Sequence, residues 1–279
     1  MSSRLSPEQI ARFRQDGFLL FPEEVVGGPE LAELNAALTR VMAGESVAAP
    51  ERITNLTGDE RNVVVQVVNI WEAEPAFRRH LSNPAIVGMV ADLMGTDTVR
   101  VWHDQIQVKP AGNGGPTVWH QDHPYWPIVE PADLVSAWVA LEDATIENGC
   151  MWMTPGSHKW GAYRNGTVGL KDDGLWPDCD MAKLPEGAKV EIVPCPVAAG
   201  SVVFHHCLTW HGAPRNGSSW ARPAIAVHYM PGHTRYVKEA GRSHLVEHHV
   251  EVASGDVLRG KHFPTVLEDG VLLEVATAA

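Results

Sequence analysis

The apolar residues of this chain change their spacing near Thr98, and that change limits the possible fold more than any other feature of the sequence. Before it, apolar positions recur every three or four residues, the mark of helices that bury one stripe. Leu31, Leu34, Leu38 and Val41 form such a stripe between Pro29 and Gly44, and Ile86, Val90, Leu93 and Met94 form another between Pro84 and Gly95. Residues 5–17 carry a full helix-start signature: Ser6 as N-cap, Pro7 in the first turn, Gln9 placed to close a capping box, and Leu5 with Ile10 as a hydrophobic staple. Gly17 is the stop. After Thr98 the period becomes two, which predicts strands at 98–109, 117–121, 134–141, 190–194, 201–206 and 222–230. A helical N-terminal third followed by strands predicts a mostly β fold with flanking helices, a β-sandwich backed by helix.

Composition narrows the partners. The 279 residues are 44% hydrophobic, enough for a substantial core, and residues 1–279 read as one domain. The 22 Lys and Arg against 34 Asp and Glu leave a net charge of -12, which argues against nucleic acid and anionic membranes as partners. A small-molecule substrate, and a monomer or small homo-oligomer, are expected instead. The four cysteines form no C-x-x-C pair, and the chain opens without a signal-peptide pattern, so reduced thiols in the cytoplasm are expected. Residues 161–188, rich in Gly, Pro and Asp, interrupt the strands and read as an insertion or lid.

Fourteen histidines are present, so spacing has to choose among them. In VWHQDHPYW, His120 and Asp122 are two apart, and on a strand or its extended end such side chains project to one face. Two imidazoles and one carboxylate around an ion leave adjacent positions open, as iron(II) oxygenases require. FHHCLTWHGAPRN offers His205, His206 and His211 as the third ligand, with His211 just before a glycine-containing turn. Arg222 begins RPAIAVHY, where the next inward residues, Ala224 and Ala226, are small enough to leave space for a carboxylate partner. In HDQIQVK, His103, Gln105, Gln107 and Lys109 make one polar face; inside a sandwich it would line a wet cavity, outside it would meet solvent.

The order of H-x-D, a distal histidine and an arginine eleven residues later, with SAWVALEDATIENGCMWMTPGSH between, resembles the phytanoyl-CoA dioxygenase family of iron(II)- and 2-oxoglutarate-dependent oxygenases. LSPEQIARFRQDGFLLFPE is similar to that family's N-terminal helix and strand, and VKPAGNGGPTVWHQD to its lead-in to the metal motif, so the likeness spans most of residues 5–231. The resemblance implies a double-stranded β-helix (jelly roll, cupin-like) core. It implies iron(II) on His120, Asp122 and His211, 2-oxoglutarate paired through its distal carboxylate to Arg222, and O2 as oxidant. Trp138 resembles a position beside the cosubstrate. One departure stands out: relatives often carry a Ser or Thr two residues after the distal histidine, where this chain has Ala213.

On this reading the chain is a dioxygenase that hydroxylates an unactivated C–H bond and releases succinate and CO2. Gln107 and Lys109 are expected cosubstrate contacts; Tyr125, Trp126 and His123, just after the ligand pair, are the expected substrate wall. Residues 119–131 hold no Lys or Arg, which favours a small, partly apolar metabolite over an acyl-CoA. A carboxylate at Asp122 disfavours halide binding, hence halogenation. The rival readings are a zinc hydrolase or isomerase on the same three ligands, which would have no use for Arg222, and a non-catalytic binding module of the same fold.

Overall fold

The computed structural model describes residues 5–163, 169–170, 177–178, 184–239 and 241–275. Its helices are α1 (Pro7–Asp16), α2 (Gly28–Ala43), α3 (Ile70–Ala73), α4 (Pro75–His80) and α5 (Pro84–Met94). The strands are β1 (Phe18–Phe21), β2 (Arg52–Asn55), β3 (Val65–Val68), β4 (Val99–Lys109), β5 (Thr117–His120), β6 (Val129–Glu130), β7 (Val135–Ala140), β8 (Met151–Met153), β9 (Gly169–Leu170), β10 (Pro177–Asp178), β11 (Val193–Cys195), β12 (Val202–His206), β13 (His211–Ala213), β14 (Arg222–Pro231), β15 (Arg235–Tyr236), β16 (Thr265–Glu268) and β17 (Val271–Leu272).

Nine strands form the main antiparallel sheet, in the order β1-β12-β7-β14-β4-β16-β17, with β3 also pairing β4 and β2 pairing β3. A four-stranded sheet, β11-β8-β13-β5, faces it. Alternation explains the layering. Val135, Ala137 and Val139 of β7, Phe204 of β12, and Ile225, Val227 and Tyr229 of β14 share a buried cluster with Leu34, Phe77, Ile86 and Val90 of the helices. The residues between them, Trp138, Ala140, Val203, Ala224 and Ala226, pack instead with Met151, Met153 and Cys195 of the small sheet. Period two thus puts alternate residues of each strand into different cores, and the result is the jelly roll expected from the resemblance.

The start of α1 follows the sequence closely. Ser6 Oγ accepts from the Gln9 amide at 3.2 Å, Gln9 Oε1 accepts from the Ser6 amide at 2.8 Å, and Leu5 and Ile10 enter the helix-side core. Gly17 ends the helix at φ +81°, and any Cβ there would collide with the His158 ring and Thr209 Oγ1, so glycine is needed for both conformation and approach. Ser157 of the PGSH turn is committed to structure: its hydroxyl donates to Thr154 O at 2.6 Å and accepts from the Trp210 amide at 2.9 Å.

The N-terminal third is less helical than the sequence predicts. The β2–β3 hairpin, with Arg52 opposite Val68 and Asn55 opposite Val65, lies within it and extends the main sheet from β4. Its long connection, residues 56–64, lacks the two-residue turn that marks a hairpin in sequence. Of the expected lid at 161–188, residues 164–168, 171–176 and 179–183 lie outside the described residues. No helix among the described residues is long and apolar enough to cross a membrane.

Candidate active site

β5 and β13 are hydrogen-bonded neighbours, and their register sets His120 directly opposite His211. Each ring is oriented by its own backbone: His120 Nδ1 lies 2.7 Å from Val118 O, and His211 Nδ1 lies 2.9 Å from Thr209 O. A carbonyl can only accept, so both Nδ1 atoms carry a proton and Nε2 is the nitrogen that each ring turns toward Asp122. Those Nε2 atoms each stand 3.5 Å from Asp122 Oδ1. Ligands about 2.1 Å from one ion and at right angles lie about 3 Å apart, so the three donors surround a point suited to a metal ion. Asp122 reaches it differently from expectation. The strand stops at His120; Asp122 has right-handed helical backbone (φ -73°, ψ -47°) and opens the 3-10 turn His123–Tyr125. Its amide and that of His123 both donate to Cys207 O at 3.0 Å, so docking on the turn just after β12 aims the carboxylate.

The second carboxylate oxygen is occupied. His205 Nε2 lies 3.0 Å from Asp122 Oδ2, and Ser136 Oγ donates to the same atom at 3.3 Å while lying 2.7 Å from His228 Nδ1. His205 therefore braces Asp122 and does not take the third ligand position; His206 turns away, its Nδ1 accepting from the Leu208 amide at 3.1 Å. Burial opposes charge on Asp122, but His211, His120 and His205 more than offset it and hold the carboxyl well below its usual range. His211 is pushed well below its ordinary value by burial and by His120, which keeps its lone pair available.

Behind the three donors the chain keeps a buried cation. Arg222 is 1% exposed, its guanidinium carbon is 5.3 Å from the Trp138 ring centre, and its Nε and Nη1 find no hydrogen-bond partner among the described residues. Burial pulls its pKa down to about 10, still charged at neutral pH. A buried guanidinium without a partner is strongly unfavourable, so the pocket it shares with the triad, Gln105, Gln107 and Trp138 fits a carboxylate-bearing cosubstrate. Thr117 lines the same pocket. It is the register partner of Ala213, and its Oγ1 is buried without a partner, which puts a hydroxyl across the ladder from the position where relatives often carry one.

Lys109 is not available for that role. Its Nζ donates to Gly115 O at 2.8 Å, Ala213 O at 3.2 Å and Pro214 O at 2.6 Å, and it does not line the pocket. The polar face of β4 does point inward at Gln105 and Gln107, and it connects outward: Arg52 donates to Gln66 at 3.0 Å, and Gln66 donates to Gln105. This chain of groups runs into an outer cavity of about 960 Å³, which shares His120 and Asp122 with the inner pocket. Tyr125 (51% exposed) and Trp126 line the cavity as expected, whereas His123 does not: its Nε2 is 2.9 Å from Val129 O and its ring is directed into the body of the domain. Arg52 and Arg215 also line the cavity, so it is not free of cations as residues 119–131 alone suggest. Its size lies near the upper end for small-molecule sites.

A jelly roll holding two imidazoles and a carboxylate at one point, backed by a buried arginine with no carboxylate partner among the described residues, is the arrangement of the iron(II)- and 2-oxoglutarate-dependent oxygenases. A sequence model of the phytanoyl-CoA dioxygenase (PhyH) family matches residues 13–224, and the chain belongs to that family. It is 27% identical to the peroxisomal phytanoyl-CoA dioxygenase of Bos taurus, over 92% of this chain and 77% of the bovine one. Among solved structures it resembles SnoK, a non-haem α-ketoglutarate-dependent carbocyclase from nogalamycin biosynthesis, at 31% identity and a TM-score of 0.75, covering 94% of this chain and 96% of that one. The epimerase SnoN of the same biosynthesis gives 26% identity and a TM-score of 0.74, over 92% and 96% of the two chains. The protein is thus a 2-oxoglutarate-dependent non-haem iron dioxygenase that requires iron(II), 2-oxoglutarate and O2.

Proposed function

We propose that His120, Asp122 and His211 hold the iron, that Arg222 pairs with the distal carboxylate of 2-oxoglutarate with help from Thr117, and that the enzyme hydroxylates a C–H bond of a bulky small molecule with an apolar body and several polar substituents. The observation that carries this reading is Arg222, a buried cation with two unpartnered N–H groups in the pocket that contains the triad. When bound, iron and 2-oxoglutarate would activate O2, the oxidant: the keto acid would give two electrons, take up one oxygen atom and leave as succinate and CO2, and the other oxygen atom would be available to the substrate C–H bond. The protein's part is positioning. Val118 and Thr209 hold the imidazole tautomers, His205 and Ser136 hold the carboxylate, and Trp138 covers the guanidinium face.

The substrate reading is broadened from a compact metabolite by the cavity of about 960 Å³, whose wall mixes Leu56, Tyr125 and Trp126 with Arg52, Asp59 and Gln66. Hydroxylation is the outcome we propose; ring closure and epimerisation enter as rivals because SnoK is a carbocyclase and SnoN an epimerase. The test has two stages. Iron(II) with 2-oxoglutarate under anaerobic conditions is expected to give a visible charge-transfer band that Arg222→Ala weakens. Turnover under 18O2 is then expected to label the product once a substrate is found by succinate release; an unlabelled cyclised or epimerised product would replace hydroxylation with one of the rival outcomes.

A further inference from the structure

A second group of metal-ligating side chains lies outside the active site. Glu51 precedes β2, and His248 and His249 end the 3-10 turn Leu245–His249. Glu51 Oε2 is 2.9 Å from His249 Nε2, and Glu51 Oε1 is 3.5 Å from His248 Nε2. Donor atoms of the three residues all fall within 4.8 Å of one another. The only other such groups among the described residues are the active-site triad and Glu72–His249–His262, which shares His249.

Three features separate this group from a chance surface ion pair. The His248 Nδ1 lies 3.0 Å from Leu245 O and donates to it, which orients the ring so that Nε2 is the nitrogen turned toward Glu51. Ring contacts hold the planes: His248 and His249 centroids are 3.8 Å apart, and those of His249 and His262 are 3.7 Å apart. Glu72 anchors the far ring, with Oε1 at 2.8 Å from His262 Nδ1. Donors about 2.1 Å from a tetrahedral ion are about 3.4 Å apart, close to the longer of the two Glu51 distances. The histidines concerned also lie beyond residues 13–224, the part matched by the family.

We propose that Glu51, His248 and His249 form a second divalent-cation site, separate from the catalytic iron, for an ion of the zinc class. Two imidazoles and one carboxylate suit a borderline ion with a water as fourth ligand, whereas magnesium and calcium prefer all-oxygen sets. Its position gives it a structural task. Arg52, next to Glu51, and His244 and Leu245, at the start of the turn, line the outer cavity. An ion here joins the hairpin wall of that cavity to the C-terminal wall.

Cobalt(II) alone is the probe, since it occupies both histidine-carboxylate sites and reports four-coordination by intense visible bands. Titrated anaerobically in the presence of 2-oxoglutarate, the wild-type protein is expected to bind about two equivalents per chain, and His248→Ala and Glu51→Gln about one. His262→Ala is expected to retain about two. Because His248 is 58% exposed, its replacement leaves the fold intact, and the catalytic site is read separately by iron(II) with 2-oxoglutarate. As an independent measurement, zinc is expected to raise the melting temperature of the wild type more than that of His248→Ala. Binding of only one equivalent by the wild type, or of two by His248→Ala, would overturn the site. Loss in His262→Ala but not in His248→Ala would overturn its ligand assignment.

Discussion

The two faces of the main sheet are made by the same strands and have opposite characters. On β7, β12 and β14 the outward residues Val139, Phe204, Ile225 and Val227 are apolar and fully buried against helices. The inward residues of those strands include Ser136, His205, Arg222 and His228, equally buried but polar, with Arg222 Nε and Nη1 and His228 Nε2 finding no hydrogen-bond partner among the described residues. Burial alone therefore does not distinguish structure from chemistry here. The outer face supplies the stability that lets the inner face hold polar groups in a costly arrangement, because an unpaired buried donor forfeits its hydration. A strand that alternates apolar with polar while both faces are buried points to a site on the polar face.

The sharpest test of this division is His211→Ala on the inner side, expected to abolish the band formed by iron(II) and 2-oxoglutarate while the melting temperature stays near that of the metal-free wild type. On the outer side, Phe204→Ala should cost about 3–5 kcal/mol of stability in a urea titration and leave the 2-oxoglutarate affinity of the folded fraction unchanged. A cosubstrate defect in that variant would break the comparison. Arg222→Ala is its mirror image: an affinity loss of about 2–5 kcal/mol for 2-oxoglutarate by anaerobic titration, with folding little affected. Thr117→Val should weaken 2-oxoglutarate by roughly tenfold to a hundredfold, the value of one hydrogen bond to a charged group, and no change would leave Thr117 as a packing residue.

The smallest effect per step is graded with pH. Burial, then His244, depresses His103 to about 3, and burial, then His228, depresses His244 to about 4. Unfolded histidine titrates near 6.5, so below that pH the unfolded chain binds protons that the folded chain refuses. Their stability contribution is thus present above about 6.5 and is lost as pH falls toward 4, at about 1.4 kcal/mol per unit and per histidine. Urea midpoints at pH 7, 6 and 5 measure it, and a flat profile in the metal-free protein would contradict the burial of these rings as neutral groups.

The nearness of His120 and Asp122 is legible in the sequence because they are two residues apart, although a 3-10 turn, and not strand alternation, aims the carboxylate. His120 and Asp122 are neighbours, and Arg222 stands two residues before the small Ala224 that opens space beside it. What is not legible depends on contacts distant in sequence. Gln107 and Lys109 occupy equivalent alternating positions, yet only Gln107 reaches the pocket, because Lys109 meets the carbonyls of Gly115, Ala213 and Pro214. Thr117 becomes interesting only when the β5–β13 register sets it against Ala213. His123 and Tyr125 sit in one turn, and which of them faces the cavity follows from the docking of that turn on Cys207 O. Arg52 and His244 carry no motif at all and meet in the cavity wall only through the fold.

The three carbonyls bound by Lys109 belong to the lead-in of β5 and the exit of β13, the two strands that carry His120 and His211. One side chain therefore rivets the two histidine-bearing strands from outside the pocket, independently of Leu56, Tyr125 and His244 in the outer cavity. For redesign this means that the spacing of His120 and His211 has a support of its own, outside the residues that line both the inner pocket and the outer cavity. Exchanges at Leu56 or Tyr125 leave the rivet in place, whereas Lys109→Met, which keeps the bulk but removes the rivet, should loosen the spacing of the two imidazoles whatever the substrate.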